Sequence, residues 1–302
     1  MKDKIIYKLI KLLIFVFGLF PKPMLKFFAD LMGLIWYKID KRHRNVVLKN
    51  INFAYPGQFT DIQAKRFVKK NFQHTAGILF EVIWSYSKQK DDLLEYFCVK
   101  GVEHIKNAMK NGKGVLCLTC HMGNFELLIA GFAKVGINPY GLYRKLDFNP
   151  LERLMLEMRQ RFGVTMIPLR KASGKIDKIL SDGGVVGTLL DQNVDWYKGV
   201  FVDFFGRPAC TNSGFAKLVL KTKASVVPAF IMKKDEKYIM QFLPQIPLQV
   251  SGDPIKDIEN NTQNYVSAIE SMVRQCPEQY FWVHNRWKTK PYSVLSSKEL
   301  KT

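Results

Sequence analysis

The chain has 302 residues, 47% of them hydrophobic and 24% charged, enough apolar material to bury a sizeable core and exclude a disordered chain. A mean hydropathy of −0.08 excludes a polytopic membrane protein, which needs several long apolar runs. With 46 Lys+Arg against 26 Asp+Glu and a formal net charge of +20, the surface attracts anions: nucleic acid, an anionic membrane or acidic soluble partners. The five scattered cysteines (Cys98, Cys117, Cys120, Cys210, Cys276) do not form a disulfide framework and fit a reduced, cytosol-facing protein.

Residues 5–20, IIYKLIKLLIFVFGLF, are strongly apolar but carry Lys8 and Lys11. The uncharged part, residues 12–20, covers only half a bilayer span. Helical spacing puts Lys4, Lys8 and Lys11 on one face, which suits an amphipathic interfacial helix. The alternative is a short tilted span with snorkelling lysines. Pro21 and Pro23 stop the helix. No small-x-small cleavage site follows Phe20, so residues 1–23 are expected to be an uncleaved membrane anchor rather than a signal peptide. A buried core helix is the remaining reading. A second apolar stretch, residues 24–37, ends in the basic segment Lys38, Lys41, Arg42, Arg44. Basic residues on both sides leave the orientation rule ambiguous, but the basic remainder sits most easily in the cytoplasm against anionic lipid.

From about Gln58 to Lys88, apolar residues recur at three- and four-residue steps, predicting a helix. Beyond Phe97, strand-like runs alternate with helical ones. Strands are expected at 114–120, 139–144, 164–169, 185–191, 200–205, 225–232 and 238–244. Helices are expected at 103–111, 123–135, 149–162, 172–181, 212–222 and 258–275. Such alternation predicts a single layered α/β domain, residues 24–292, with a mixed, largely parallel sheet flanked by helices. Residues 293–302 form a C-terminal tail.

The richest segment is GKGVLCLTCHMGNFELL, residues 112–128. A buried strand delivers His121 to its carboxyl end, where ligands bind in open α/β sheets. Gly123 and Asn124 make a turn, and Phe125 begins a helix. Glu126, five residues after His121, is spaced to fold back onto one imidazole nitrogen, fixing the tautomer and leaving the other nitrogen free to take a proton. The bland alternative makes His121 a turn residue and Glu126 a favourable charge at a helix start. Cys117-Leu118-Thr119-Cys120-His121 also matches the C-x-x-C-H haem-attachment pattern. That chemistry needs export, and no cleavable signal is evident. No further Cys or His lies near enough for a zinc site.

HMGNFE resembles the H-x-x-x-x-D/E signature of glycerolipid-type acyltransferases, and it does not stand alone. Tyr143-Arg144, Asn149-Pro150, Arg159 and Arg161 before Gly163, Asp191-Gln192, KGVFVDFFGRPA (198–209) with Thr211 and Gly214, and PEQYFWVHNRWKTKP (277–291) follow in order. This ordered set is similar to the bacterial lipid A biosynthesis late acyltransferase family, over nearly the whole chain. The resemblance implies a glycerol-phosphate acyltransferase-like fold at the cytoplasmic face of the inner membrane. It implies transfer of an acyl chain, usually from acyl carrier protein, to a hydroxyl of an acylated glucosamine disaccharide. His121 and Glu126 match the catalytic pair, with Glu in place of Asp.

On this reading His121 is the general base and Glu126 orients it. No G-x-S-x-G elbow is present, so the hydroxyl attacks the thioester directly, without an acyl-enzyme. Oxyanion donors are sought among backbone N–H groups near Gly123 or among Arg144 and Arg161. Arg144, Arg159 and Arg161 are candidate clamps for the acceptor's phosphates. Asp191 and Gln192 are candidates for a pocket wall, and His284, Arg286 and Trp287 are read as architectural. Acidic acyl carrier protein suits the +20 charge as a partner, beside inner-membrane lipids and a phosphorylated glycolipid acceptor. No metal or other cofactor is called for. Nearest rivals are acylation of another glycolipid or phospholipid, with acyl-CoA as possible donor, and a nucleic-acid-binding protein. The last lacks a recognised motif, and its aromatics fall in apolar runs rather than among basic residues.

Overall fold

Residues 2–170 and 172–291 are described by a computed structural model; the tail at 293–302 lies outside them. Four helices come first: α1 (Lys2–Gly18), α2 (Lys22–Ile39), α3 (Lys41–Ala54) and α4 (Asp61–Ser87), then a short α5 (Lys90–Leu94). The alternating part runs β1 (Phe97–Lys100), α6 (Val102–Lys110), β2 (Val115–Thr119), α7 (Leu128–Lys134), β3 (Tyr140–Tyr143), α8 (Asn149–Gln160) and β4 (Thr165–Pro168). It continues through α9 (Ser173–Ser181), β5 (Val185–Leu189), β6 (Gly199–Phe204), β7 (Arg207–Asn212), α10 (Gly214–Thr222), β8 (Ser225–Lys234), β9 (Lys237–Phe242) and α11 (Pro254–Gln275).

Seven strands form one sheet in the order β1-β9-β8-β2-β5-β3-β4, with β8-β9 the antiparallel pair and the others parallel. The expected layered α/β architecture is therefore present. Two details differ from the sequence reading. The run at 200–205 does not enter the main sheet: β6 pairs with β7 as a separate hairpin. The helix expected from Phe125 begins as a 3-10 turn, Phe125–Leu127, and becomes α-helical only at Leu128.

Strand alternation divides the interior in two. In β2, Leu116 and Leu118 join one core with α3, α9, α10 and α11, while Val115 and Cys117 join the other with α6 and α7. This is the period-2 pleat of a strand covered on both faces. Cys117 and Cys120 consequently point into opposite cores, both buried, so the C-x-x-C-H spacing presents no paired thiols. α4 begins with a capping box, Thr60 Oγ1 accepting from Gln63 N at 3.3 Å while Gln63 Oε1 accepts from Thr60 N at 2.9 Å. Its Phe72 lies in one core and its Trp84 in the other, so the helix crosses the edge of the sheet.

The N-terminus departs most from expectation. Among the described residues no helix is long and apolar enough to cross a membrane, and a spanning anchor at 1–23 is not supported. α1 rises only about 26 Å, and it lies along α4 and α8. Tyr7 and Lys11 turn inward beside the half-buried Ile10, Ile14 and Phe17; Tyr7 Oη donates to Glu157 at 2.7 Å, and Lys11 Nζ donates to Glu157 at 3.1 Å. Its outward side carries Leu9, Leu12 and Leu13, 55–57% exposed, beside exposed Lys4 and Lys8. On α2, Phe27, Leu31 and Ile35 are likewise exposed.

Candidate active site

The register of β2 against β5 builds the site. Thr119 pairs with Leu189, and two residues beyond that pair each strand delivers a functional side chain, His121 from β2 and Asp191 from β5. His121 Nδ1 lies 2.8 Å from Asp191 Oδ1, and the His121 backbone N–H donates to Oδ2 at 3.1 Å. The carboxylate thus grips both ring and backbone. Asp191 is buried; the His121 side chain retains 18% exposure. The Asp191 carboxylate fixes Nδ1 as the donor, so Nε2 carries the free lone pair of the neutral ring. Nε2 faces outward, 3.4 Å from Gln192 Nε2. The ring is held edge-on by Phe125, with centroids 4.8 Å apart, and flanked by Phe281.

Burial, the largest influence on His121, disfavours the imidazolium, but the Asp191 charge and hydrogen bond, with the charge of Glu126, outweigh it and raise the pKa above the ordinary value. Burial likewise opposes ionisation of Asp191, and the His121 charge and hydrogen bonds overcome it, so its carboxyl lies below the usual range. The two form one coupled unit that favours imidazolium beside carboxylate.

Glu126 does not reach the imidazole by hydrogen bond. Its carboxylate is taken by Arg159 of α8, with Nε at 3.1 Å and Nη2 at 2.8 and 2.9 Å. The orienting bond expected from Glu126 is made by Asp191 instead. The physical reason is local: the 3-10 turn aims residue 126 toward α8, while parallel strand pairing brings residue 191 to the ring. Glu126 and Arg159 are each 18% exposed and stand close enough for the Glu126 charge to act on His121.

The other expected site residues divide. Arg161 turns to the end of α4, donating to Ser85 O at 3.0 Å and Lys88 O at 2.8 Å; it adds donors to carbonyls at the C-terminal end of the helix. Arg144 is exposed just past β3. The Gly123 N–H donates to Gln279 O at 2.9 Å and is no longer free for an oxyanion.

The segment 277–291 holds this edge together. Phe281 N donates to His121 O at 2.9 Å, and Met122 bridges Tyr280 in antiparallel fashion. His284 Nε2 accepts from Asn193 N at 2.8 Å, which anchors the loop behind Asp191. Burial, aided by the Arg286 and His121 charges, pushes His284 down to about 4, so it stays neutral in this accepting role. Arg286 is fully buried, donating to Cys210 O at 2.9 Å and to Thr211 Oγ1. Two buried amides hold the segment from the helical side. Asn71 Nδ2 donates to Glu278 O and Tyr280 O, and Asn50 Nδ2 to Trp282 O and His284 O. Glu81 of α4 accepts from Asn124 Nδ2 at 2.9 Å and Lys233 Nζ at 2.7 Å, pinning the turn after His121. Sequence reasoning did not single out Asn50, Asn71 or Glu81. The available signal was an amide at core spacing, Asn71 between Val68 and Phe72 and Asn50 beside Ile51.

Of the segments that carried the resemblance, those of His121, Glu126, Arg159, Asp191-Gln192 and 277–291 meet at one edge. The family model for bacterial lipid A biosynthesis acyltransferases matches residues 3–289. The chain belongs to that family. It is an acyltransferase. It is 26% identical over 279 residues to the lipid A biosynthesis lauroyltransferase of Escherichia coli K12, covering 91% of this chain and 89% of the relative. It is 25% identical over 281 residues to the lipid A biosynthesis palmitoleoyltransferase of the same organism, with 91% and 89% covered. A phosphatidylinositol mannoside acyltransferase of Mycolicibacterium smegmatis is 24% identical over 201 residues, 64% of this chain and 63% of that protein.

Proposed function

We propose that this acyltransferase moves a fatty acyl chain from an acyl carrier protein thioester to a hydroxyl of a lipid A precursor, as a secondary acylation. The observation that carries the proposal is the imidazole gripped at Nδ1 by buried Asp191, with Nε2 open at the carboxyl edge of a parallel sheet. Nε2 takes the proton of the acceptor hydroxyl while its oxygen attacks the thioester carbon. The tetrahedral intermediate collapses by breaking the C–S bond, and the proton on Nε2 passes to the departing thiolate. Asp191 holds the ring and balances the transient imidazolium. Arg159, clamped by Glu126 through Nε and Nη2, is the cation assigned to the developing oxyanion or an acceptor phosphate.

The enzyme meets its lipid at the cytoplasmic face of the inner membrane through α1 and α2, lying in the interface rather than crossing it. The support is the exposed row Leu9, Leu12 and Leu13 of α1 beside exposed Lys4 and Lys8, an apolar surface edged by lysines, with Phe27, Leu31 and Ile35 exposed on α2. The net charge of +20 suits both anionic lipid and an acidic carrier protein. The similarity to mycobacterial phosphatidylinositol mannoside acyltransferases favours a second reading, in which the acceptor is another glycolipid.

The test is transfer of a radiolabelled acyl group from acyl carrier protein thioester to a lipid A precursor. His121→Ala should lose on the order of 10²–10⁴ in rate with folding unchanged. Transfer that survives His121→Ala would refute the mechanism. Wild-type transfer to a mannosylated phospholipid alone would select the second reading.

A further inference from the structure

A cavity of about 700 Å³ lies between α2, α4 and the ends of β8 and β9, and none of His121, Glu126, Arg159, Asp191 or Gln192 lines it. Its floor is apolar: Leu25, Ala29, Phe80, Trp84 and Tyr238. Gly77 deepens it. Glycine in mid-helix weakens a helix, yet a Cβ added here would meet no atom within 4 Å, whereas one at Gly33 of α2 would collide with the Gln73 backbone. Gly33 is small because helices touch there; Gly77 borders open space.

The rim carries Lys22, Lys26, Lys70 and Lys233. Lys233 is committed to Glu81 at 2.7 Å. Lys26 pairs with Asp30 and is 72% exposed, so that pair exchanges readily for a stronger anion; Lys22 is 28% exposed, its Nζ held over the Trp84 and Tyr96 rings beside the 68% exposed Glu236. Lys70 has no ion pair among the described residues. His74, at the cavity wall, is kept neutral by burial. An aliphatic chain fits the floor and an anionic group the rim.

α2 says from where the ligand comes. Leu25 and Ala29 face the cavity, while Met24, Phe27, Leu31 and Ile35 of the same helix are exposed on its other side. The helix separating cavity from solvent is thus the helix read above as bilayer-facing. We infer that the cavity is an accessory lipid site, separate from the His121 centre, which takes one chain of an anionic bilayer lipid with its phosphate at Lys22, Lys26 and Lys70. The inference rests on the membrane-facing reading of α2 and not on the acyl-transfer mechanism.

The experiment uses the full chain carrying His121→Ala, bound to vesicles of phosphatidylcholine with or without phosphatidylglycerol. One of the two lipids bears a photoactivatable chain, and cross-links are mapped by mass spectrometry. Label from phosphatidylglycerol should fall on α4 around Phe80 and Trp84. Gly77→Phe should abolish that label without releasing the protein from vesicles. Lys26→Gln and Lys70→Gln, which leave the core intact, should each cut the preference for the anionic lipid by about fivefold, the size of one lysine–anion attraction at a membrane surface. Failure of wild type to float with vesicles would overturn the membrane reading and the site with it. Flotation with label confined to Phe27 and Leu31 would overturn the site alone. Label displaced by stoichiometric acyl thioester would reassign the cavity to the donor and overturn a separate lipid site.

Discussion

The carboxyl edge of the sheet and the N-terminal helices break the inside–outside rule in opposite directions. At the sheet edge, charged and amide groups are inside: Arg286, Asn124 and Asn71 are at most 1% exposed and Asp191 4%. On α1 and α2, large apolar groups are outside, with Leu13 57% and Phe27 62% exposed. Each of these buried polar groups is hydrogen-bonded to a backbone or side chain of another segment, although Asn71 Oδ1, Asn124 Oδ1 and Arg286 Nε find no partner among the described residues. Exposed apolar groups find no partner among the described residues, and on the reading proposed above the bilayer covers them. The polar interior is rigid and surrounds the proposed reaction centre; the apolar exterior is the surface proposed above to meet the bilayer.

This contrast can be broken from either side. The largest effect is expected at the buried end. Asp191→Asn removes the partner that fixes the His121 tautomer, and transfer should fall by about 10²-fold or more. The wild-type rate should rise with pH through a midpoint above the ordinary imidazole value, since Nε2 must be free of its proton. In Asp191→Asn that midpoint should move down, because burial then acts without the opposing charge. Glu126→Gln should also lower the rate, but with a smaller shift in midpoint, since it touches His121 through charge alone. A profile moved more by Glu126→Gln than by Asp191→Asn would reverse the roles. Stability follows the same sign. A raised His121 pKa contributes fully below about pH 6.5, and the contribution is lost as pH rises through the folded value. Thermal melts of wild type and Asp191→Asn across that range should converge on the alkaline side.

At the apolar end, Leu9→Glu with Leu13→Glu should leave the melting temperature nearly unchanged while weakening vesicle binding at least tenfold, from loss of about 2 kcal/mol of burial per leucine. A sharp fall in melting temperature would mean that these leucines pack inside the protein. Asn71→Ala leaves two carbonyls of the 277–291 segment without their donor and should cost about 2 kcal/mol, read as a melting temperature lower by several degrees. The smallest change is expected from Glu157→Gln, which loosens α1 from α8. Partly exposed pairs contribute about 0–1 kcal/mol. Burial opposes ionisation of Glu157, but hydrogen bonds from Tyr7, Lys11 and Arg153 outweigh it and lower its pKa. Its contribution is therefore present above the unfolded value and fades as pH falls through the lower folded one. Hydrogen exchange in α1 is the measurement that resolves it.

Much of the fold was legible because strand and helix periods are local. The run VLCLT reads as a strand buried on both faces, and it is one. β7 was not foreseen, since RPACTN has little strand character of its own and takes its form from pairing with β6. α3 was hidden in a basic segment whose apolar positions, Val47, Ile51 and Ala54, are sparse but correctly spaced. At the site, His121, Glu126, Arg159, Asp191 and Gln192 were all singled out, and all stand at one edge. Their pairing was not legible. A spacing of five residues suggested a bond between His121 and Glu126. Seventy residues of separation gave no hint of the bond between His121 and Asp191, which depends on the register of β2 with β5.

Sequence alone determined the family, the layered α/β class and the edge at which His121 stands. Those follow from composition, short-range periodicity and an ordered set of motifs, all of which are properties of neighbouring residues. Tertiary structure alone decided which carboxylate serves His121, that Arg161 caps a helix, and that α1 lies along the domain with its leucines outward. Each of these depends on which segments meet across a sheet or between helices, and such meetings are set by packing between residues far apart in the chain.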